Sequence, residues 1–191
     1  MKPEVKKYLS GIIPADPDQL EVFFSRFKPV SYKKGEYFVK EGQVSRYIGF
    51  IVKGCLMCVY KNDGKEYIDE FSMDNEFISA YASFITGTPA DKDIICLEDC
   101  ELQILGYKDL QELYKLDQVY ERTGRLIAEM LFINWQQRVK SLLLDDAETR
   151  YLKLTENRPD LIQRVPQYLV AQYLGISPET LSRIRRNTSL E

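Results

Sequence analysis

Between Phe27 and Gly106 the chain is cut by turn residues into short aromatic and β-branched runs: KPVSY, KKG, EYFV, KEGQ, YIGFIV, KG, CLMCVY, KNDG and KEYIDEF. Runs this short, broken at near-regular spacing by Gly-containing turns, predict an antiparallel barrel or sandwich. In Lys61-Asn62-Asp63-Gly64 the Asp-Gly pair tolerates the positive φ that a tight hairpin needs. After an irregular insert from Met73 to Lys92, DIICLED and CELQILG read as the last two strands. Ahead of the sheet, residues 14–26 open a short helix: Asp16 can cap it, Pro17 suits its first position, and Gln19 completes a capping box.

Beyond the sheet the periodicity changes. Lys108-Asp109-Leu110 reads as a short helix, and residues 118–144, QVYERTGRLIAEMLFINWQQRVKSLLL, carry no proline and repeat their apolar residues at helical spacing. One seam runs Val119, Thr123, Leu126, Met130, Ile133, Gln137, Lys140 and Leu144, in alternate steps of four and three. A helix of this length spans about 40 Å. It is apolar on a second stripe as well (Ile127, Leu131, Trp135, Val139, Leu143), so one face can serve the barrel and another a copy of itself. A helix packed only on its own barrel is the plainer alternative. From Asp145 onward the pattern is that of a small all-helical domain: Thr149 to Glu156 helical, a break at Asn157-Arg158-Pro159, then two more short helices. The organisation is thus 1–116 sheet domain, 117–144 long helix and 145–191 helical domain.

Composition excludes several chemistries. The chain has 191 residues and no histidine, which removes the commonest general base, the commonest zinc ligand and every Ser-His or Cys-His nucleophile pair. An enzyme on a cupin-like barrel would need a metal or a base, and no catalytic residue is assigned. The N-terminal MKPEVKKYLSG is followed by IIPADPD instead of an apolar run, so it does not read as a secretory signal; with no membrane-length apolar stretch, the expectation is a cytoplasmic protein. The net charge of -3 divides unevenly: residues 150–191 hold seven Lys/Arg and four Asp/Glu, or +3, leaving -6 for the rest. A basic tail on an acidic body suits a polyanionic partner. Cys55 and Cys58 form a C-x-x-C, and Cys96 and Cys100 are a second close pair. Residues three apart on a strand face opposite ways, so the four read as reduced thiols, with no metal site.

Residues 167–186, QYLVAQYLGISPETLSRIRR, match a helix-turn-helix position by position. Ala171 sits where the helices approach, Gly175 supplies the turn, and Val170, Leu174, Ile176, Leu181 and Ile184 are apolar where the shared face must be buried. Ser177 caps the second helix, Pro178 takes its first position, and Glu179 favours the positive end of its dipole. With Leu181 and Ile184 inward, Ser177, Glu179, Thr180, Ser182, Arg183 and Arg186 lie outward. Arg pairs with guanine, Glu accepts from cytosine, and Ser or Thr does either. Arg183 and Glu179 are the expected base contacts; Arg185, Arg186 and the backbone of the first helix near Gln167 would position the duplex, with Pro178 at the edge of the reading surface. An ordinary αα-hairpin with a solvated basic face is the alternative.

In its order of β-roll, long helix and helix-turn-helix, the chain resembles the Crp/Fnr family of bacterial transcription regulators from about Phe27 onward. KKGEYFVKEGQ is similar to the family's K-x-G-x-x-[IVL]-[FV]-x-x-G-x segment, and Glu179, Thr180 and Arg183 in GISPETLSRIRR match its recognition helix; Pro178 stands where relatives often carry a base-reading Arg. The resemblance implies an α+β fold: an N-terminal double-stranded β-helix, or jelly roll, of the cyclic nucleotide-binding type, a long dimerisation helix (Val119, Leu126, Ile127, Met130, Ile133, Gln137) and a C-terminal helix-turn-helix domain. It implies a homodimer on a palindromic operator in double-stranded DNA, with the long helix relaying the state of the roll, and RNA polymerase and a small-molecule effector as further partners. A membrane is not among them. Relatives commonly place a β-hairpin wing after the recognition helix; five residues follow Arg186 here.

The effector segment departs from the family. Cyclic AMP binders resemble G-E-x-A-L-L-x-G-x-P-R-[SA]-A, whose Glu holds the ribose and whose Arg pairs with the phosphate. Here Glu76 and Gly87-Thr88-Pro89 survive, but the glycine is Asn75, the Arg is Ala90, and Asp91 adds negative charge. A phosphate buried without its cation costs several kcal/mol, so cyclic AMP is disfavoured and no cofactor is expected, although Lys92 could substitute. A pocket here would involve Glu76, Phe77, Ser79, Tyr81, Ser83, Phe84, Ala90 and Asp91; the aromatic residues among them suit a more apolar ligand or plain core equally. The function expected is an effector-responsive DNA-binding regulator. The alternative is a ligand-binding sensor whose helical tail docks to a protein.

Overall fold

The computed structural model describes Ile13 and residues 15–188; the N-terminal stretch that argued against a secretory signal lies outside them. The capping box forms as the sequence predicts. The Asp16 carboxylate accepts from the Gln19 amide, the Gln19 side chain accepts from the Asp16 amide, and helix α1 (Pro17–Ser25) follows. Its Phe23 and Phe24 are buried.

Among the described residues, eight strands then form two four-stranded antiparallel sheets. One runs β1 (Lys28–Tyr32), β8 (Cys100–Gly106), β3 (Tyr47–Lys53) and β6 (Phe77–Ile78); the other runs β2 (Tyr37–Val39), β7 (Asp93–Cys96), β4 (Leu56–Asn62) and β5 (Lys65–Ser72). The β4–β5 hairpin turns on Asp63 (φ 50°) and Gly64 (φ 74°), the positive-φ pair that matches strand twist in a tight turn. The insert from Met73 to Lys92 is more regular than the sequence suggests: it supplies β6 and helix α2 (Tyr81–Thr86). Between the sheets lie Val39, Ile51, Leu56, Cys58, Ile78, Ile94 and Leu102. The result is an antiparallel β-sandwich with a long helix after it.

Both outer faces are also covered. Over the β1/β8/β3/β6 sheet lie α1, helix α3 (Tyr107–Leu116) and the first turns of helix α4 (Gln118–Leu144), with Phe23, Phe27, Phe50, Leu105, Leu113 and Tyr120 in one cluster. The short helix expected at Lys108-Asp109-Leu110 is a full ten residues long. Over the second sheet lies the C-terminal domain: α5 (Ala147–Asn157), α6 (Pro159–Arg164), α7 (Gln167–Leu174) and α8 (Pro178–Thr188). Three helices follow the break at Arg158, where the sequence suggested two, because Pro166 separates α6 from α7. Met57, Val59, Ile68 and Phe71 on the sheet share one core with Leu161, Leu169, Val170, Leu174, Leu181 and Ile184. A side chain of this kind is worth roughly 1.5–3 kcal/mol when fully buried, so the helical domain is seated on the roll, not merely tethered to it. No helix among the described residues is long and apolar enough to cross a membrane.

The seam expected along α4 is only partly free. Thr123 is buried inside the chain and so is not free to meet a partner, while Val119 and Ile127 are partly buried, with one side packed on the chain's own aromatic cluster. Farther along, Met130, Ile133 and Leu144 are exposed, as are Trp135 and Leu143 of the second stripe and Phe132, which lies on neither; Gln137 is exposed too, and Leu126 is half-buried.

Candidate nucleic-acid interface and the mouth of the roll

Helix α7 ends at Gly175, whose φ of 68° is a left-handed conformation that side chains other than glycine rarely adopt. The Ile176 amide donates to the Ala171 carbonyl and the Gly175 amide to that of Gln172, both at 3.0 Å. The remaining carbonyls are met from outside the motif: Arg150 Nε donates to Leu174 at 2.9 Å, and Arg138 of α4 donates to Tyr173. Across the turn, Ser177 Oγ accepts from the Thr180 amide at 3.2 Å. A hydrogen bond with Ser177 also holds the Glu179 carboxyl below its usual range. The start of α8 is therefore fixed by short-range bonds.

That start orients the rest. Val170, Ala171, Leu174, Leu181 and Ile184 are buried between the helices, and Ile176 packs against them. Ser177, Pro178, Glu179, Ser182, Arg183, Arg185 and Arg186 are exposed, and Thr180 is half-buried at their margin. One helix face thus carries a carboxylate, hydroxyls and guanidinium groups, the donor and acceptor set that reads base edges in a major groove. Gln167 opens α7, where the expected phosphate contact is through the backbone, and its side chain stays apart from this face. It is half-buried, its Nε2 turned back to the Ile162 carbonyl at 3.4 Å and its Oε1 without a partner.

At the roll, the residues expected around an effector divide between core and surface. Phe77 and Phe84 belong to the aromatic core under α3, with Phe77 edge-on to Phe50 at 5.1 Å. Ser83 is buried, accepts from the Ser45 amide and donates to the Thr88 carbonyl. Ser79 donates to Tyr47, and Ala90 is core between the sheets. Tyr81 and Asp91 are exposed. Glu76 is engaged elsewhere: it accepts from the Met73 amide at 2.8 Å and pairs with Arg158 at 3.1 Å. Burial raises its pKa in spite of that arginine. Lys92 is held by Asp69 at 2.8 Å and lies over the Tyr60 ring.

All four cysteines are buried and free. Cys55 and Cys58 fall in cores on opposite sides of the sheet, and burial pushes the Cys55 thiol up to about 12. Cys96 and Cys100 share the inner core, where Cys100 Sγ donates to the Glu98 carbonyl at 3.2 Å. Among the described residues no group of three or more Cys, Asp or Glu is arranged to hold a metal.

Sequence reasoning missed Asp69, Arg138, Arg158, Arg164 and Tyr173, which join the roll, the long helix and the helix-turn-helix. One available signal was Tyr173 itself, a large aromatic at a position the motif leaves free.

Residues 29–117 match the family model for the cyclic nucleotide-binding domain. No curated protein sequence matches the chain. Among solved structures, the c-di-GMP responsive global regulator CLP of Xanthomonas campestris is similar with a TM-score of 0.70 at 17% identity, covering 92% of this chain and 92% of that one. FixK2 of Bradyrhizobium japonicum gives 0.69 at 18%, covering 86% and 85%. A protein from Eubacterium rectale assigned to the Crp/Fnr family of transcriptional regulators gives 0.69 at 14%, covering 96% and 88%. These likenesses show a fold shared with Crp/Fnr regulators.

Proposed function

We propose that the chain is a homodimeric, DNA-binding transcription regulator of the Crp/Fnr type whose roll does not take cyclic AMP. The observation that carries this reading is the exposed face of α8, where Glu179, Ser182, Arg183 and Arg186 project from a helix whose start is capped and whose back is buried. Arg183 and Glu179 contact bases; Ser177, Thr180, Arg185 and Arg186 grip phosphates or the groove edge. Dimerisation is supported by the exposed apolar side chains of α4, with Ile133 at 50% and Leu143 at 77% exposure. Isolated surface hydrophobes are ordinary, but a row along one helix marks an interaction surface.

Rejection of cyclic AMP is supported by Ala90 lying in the core, Asp91 beside it, and Lys92 already neutralised by Asp69. The effector is then a molecule of other chemistry, and RNA polymerase is a further partner. Selection of bound fragments from a random duplex pool, repeated with cell metabolites, tests the reading. A palindromic consensus bound by a dimer, with affinity falling steeply as salt rises, is the expected result. Equal affinity for selected and random duplexes would overturn it and favour a helical tail that docks to protein.

A further inference from the structure

Tyr173 belongs to α7, yet its ring leaves the motif. It lies 5.3 Å from the Phe71 ring on β5, and the Arg138 guanidinium of α4 lies 3.7 Å above its centroid while donating to its carbonyl. Roll, long helix and helix-turn-helix therefore meet on one side chain.

Around this centre runs a polar rim. Arg158 bonds Glu76 at 3.1 Å and the Phe71 carbonyl at 3.4 Å. Arg164 bonds Asp74 at 2.7 Å and Glu98 as well, and Gln172 donates to the Glu66 carbonyl. The acceptors come from β5, the turn after it and the β7–β8 turn, so they fix rotation as well as distance. An apolar centre with a polar rim is the anatomy of a specific interface.

The helical domain has little freedom at its other attachment. Only Asp145 and Asp146 separate α4 from α5, and Asp145 accepts from Ser141 at 2.6 Å and Lys153 at 2.7 Å. Arg138 Nε is inaccessible and without a hydrogen-bond partner, a cost that the Tyr173 contact offsets only in part. An orphaned donor at a junction of three parts fits a contact that can be exchanged for another.

We propose that the Phe71–Tyr173–Arg138 stack couples the roll directly to the helix-turn-helix, so that the β5 face, and not the long helix alone, sets the angle at which α8 is presented. The functional consequence rests on the DNA-binding reading above. In a symmetric dimer that angle determines which half-site separation both α8 helices can occupy at once.

The test uses the full-length protein, with operators whose half-sites are separated in one-base-pair steps and with hydrogen exchange of the free protein. Wild type is expected to favour one separation by on the order of tenfold or more, since affinity from double engagement is lost where geometry forbids it. Tyr173→Ala should flatten that preference while leaving the half-site sequence preference in place, and should speed exchange along β5; Tyr173→Phe, which keeps the ring, should restore both. Arg158→Met, which opens the rim, should act like Tyr173→Ala, and judges the coupling if that variant does not fold. Unchanged separation preference and unchanged β5 protection in the folded variants would overturn the coupling. Absence of DNA binding by wild type would overturn the DNA reading instead, and the exchange arm would still judge the coupling.

Discussion

Lys92 Nζ sits 2.8 Å from Asp69 Oδ2 of β5, with both side chains mostly buried at 13% and 18% exposure. The one cation of the family's phosphate segment that could replace the missing arginine is thereby spent on an internal carboxylate. An ion pair this buried is costly to break because each charge would be left without a partner. Titration calorimetry with cyclic AMP should therefore show no binding to wild type. Asp69→Asn, which frees the ammonium, should be the variant in which any affinity for a phosphate-bearing ligand appears; saturable binding of cyclic AMP by wild type would refute this.

Gly124 on α4 faces Tyr114 of α3. A methyl at this position would overlap the Tyr114 hydroxyl and lie 2.6 Å from its Cζ. Alanine is the better helix former by about 1 kcal/mol, yet overpacking of a close helix contact costs roughly 1–3 kcal/mol. Gly124→Ala is expected to destabilise the protein in urea unfolding, whereas the same change made in a Tyr114→Ala background, where the clash is gone, should stabilise that background.

The junction between α4 and α5 should weaken in acid. Hydrogen bonds from Lys153 and Ser141 hold the Asp145 carboxyl below its usual range, and the cap to Thr149 does the same for Asp146. A depressed folded-state pKa gives stability that is present above the unfolded value of about 3.9 and is lost as pH falls through the folded value. Asp145→Asn should be less stable than wild type at neutral pH, and the gap should narrow as the pH falls through the folded-state pKa of Asp145 and its carboxyl becomes protonated. Urea titrations across the acid range check this; a constant gap at every pH would contradict it.

Ile133 and Met130 are exposed on α4 beyond the segment that packs on the roll. Ile133→Glu should place a charge in the seam of the proposed dimer and shift the sedimenting species to the monomer, with little change in thermal unfolding of the roll. A dimer that persists unchanged would move the interface off this helix face.

Arg183→Ala should lower discrimination at one base pair of each half-site by about 1–3 kcal/mol while leaving non-specific, salt-dependent binding largely intact. Arg186→Ala, as a phosphate contact, should instead weaken all sequences alike. Competition assays with single-base operator variants separate the two patterns.

Features specified within a few residues were readable before any coordinates. The Asp16 capping box, the Asp63-Gly64 hairpin, the span Gln118–Leu144 and the Gly175 turn with its Ser177 cap all appear where local backbone rules place them. The inward set of the helix-turn-helix followed from its 3.6-residue period.

What covers those faces was a different matter. Periodicity says that a surface is apolar and nothing about the partner that fits it, so the seating of α7 on β5, the burial of Thr123, the packing of Val119 and Ile127 against the chain's own aromatic cluster, and the placing of Phe77 and Phe84 in that cluster came only with the tertiary structure. The pairings Lys92–Asp69, Arg158–Glu76 and Arg138–Tyr173 span 23, 82 and 35 residues. Contacts this distant depend on the joint shape and charge of whole elements, and that is settled when the layers pack, not by any local pattern along the chain.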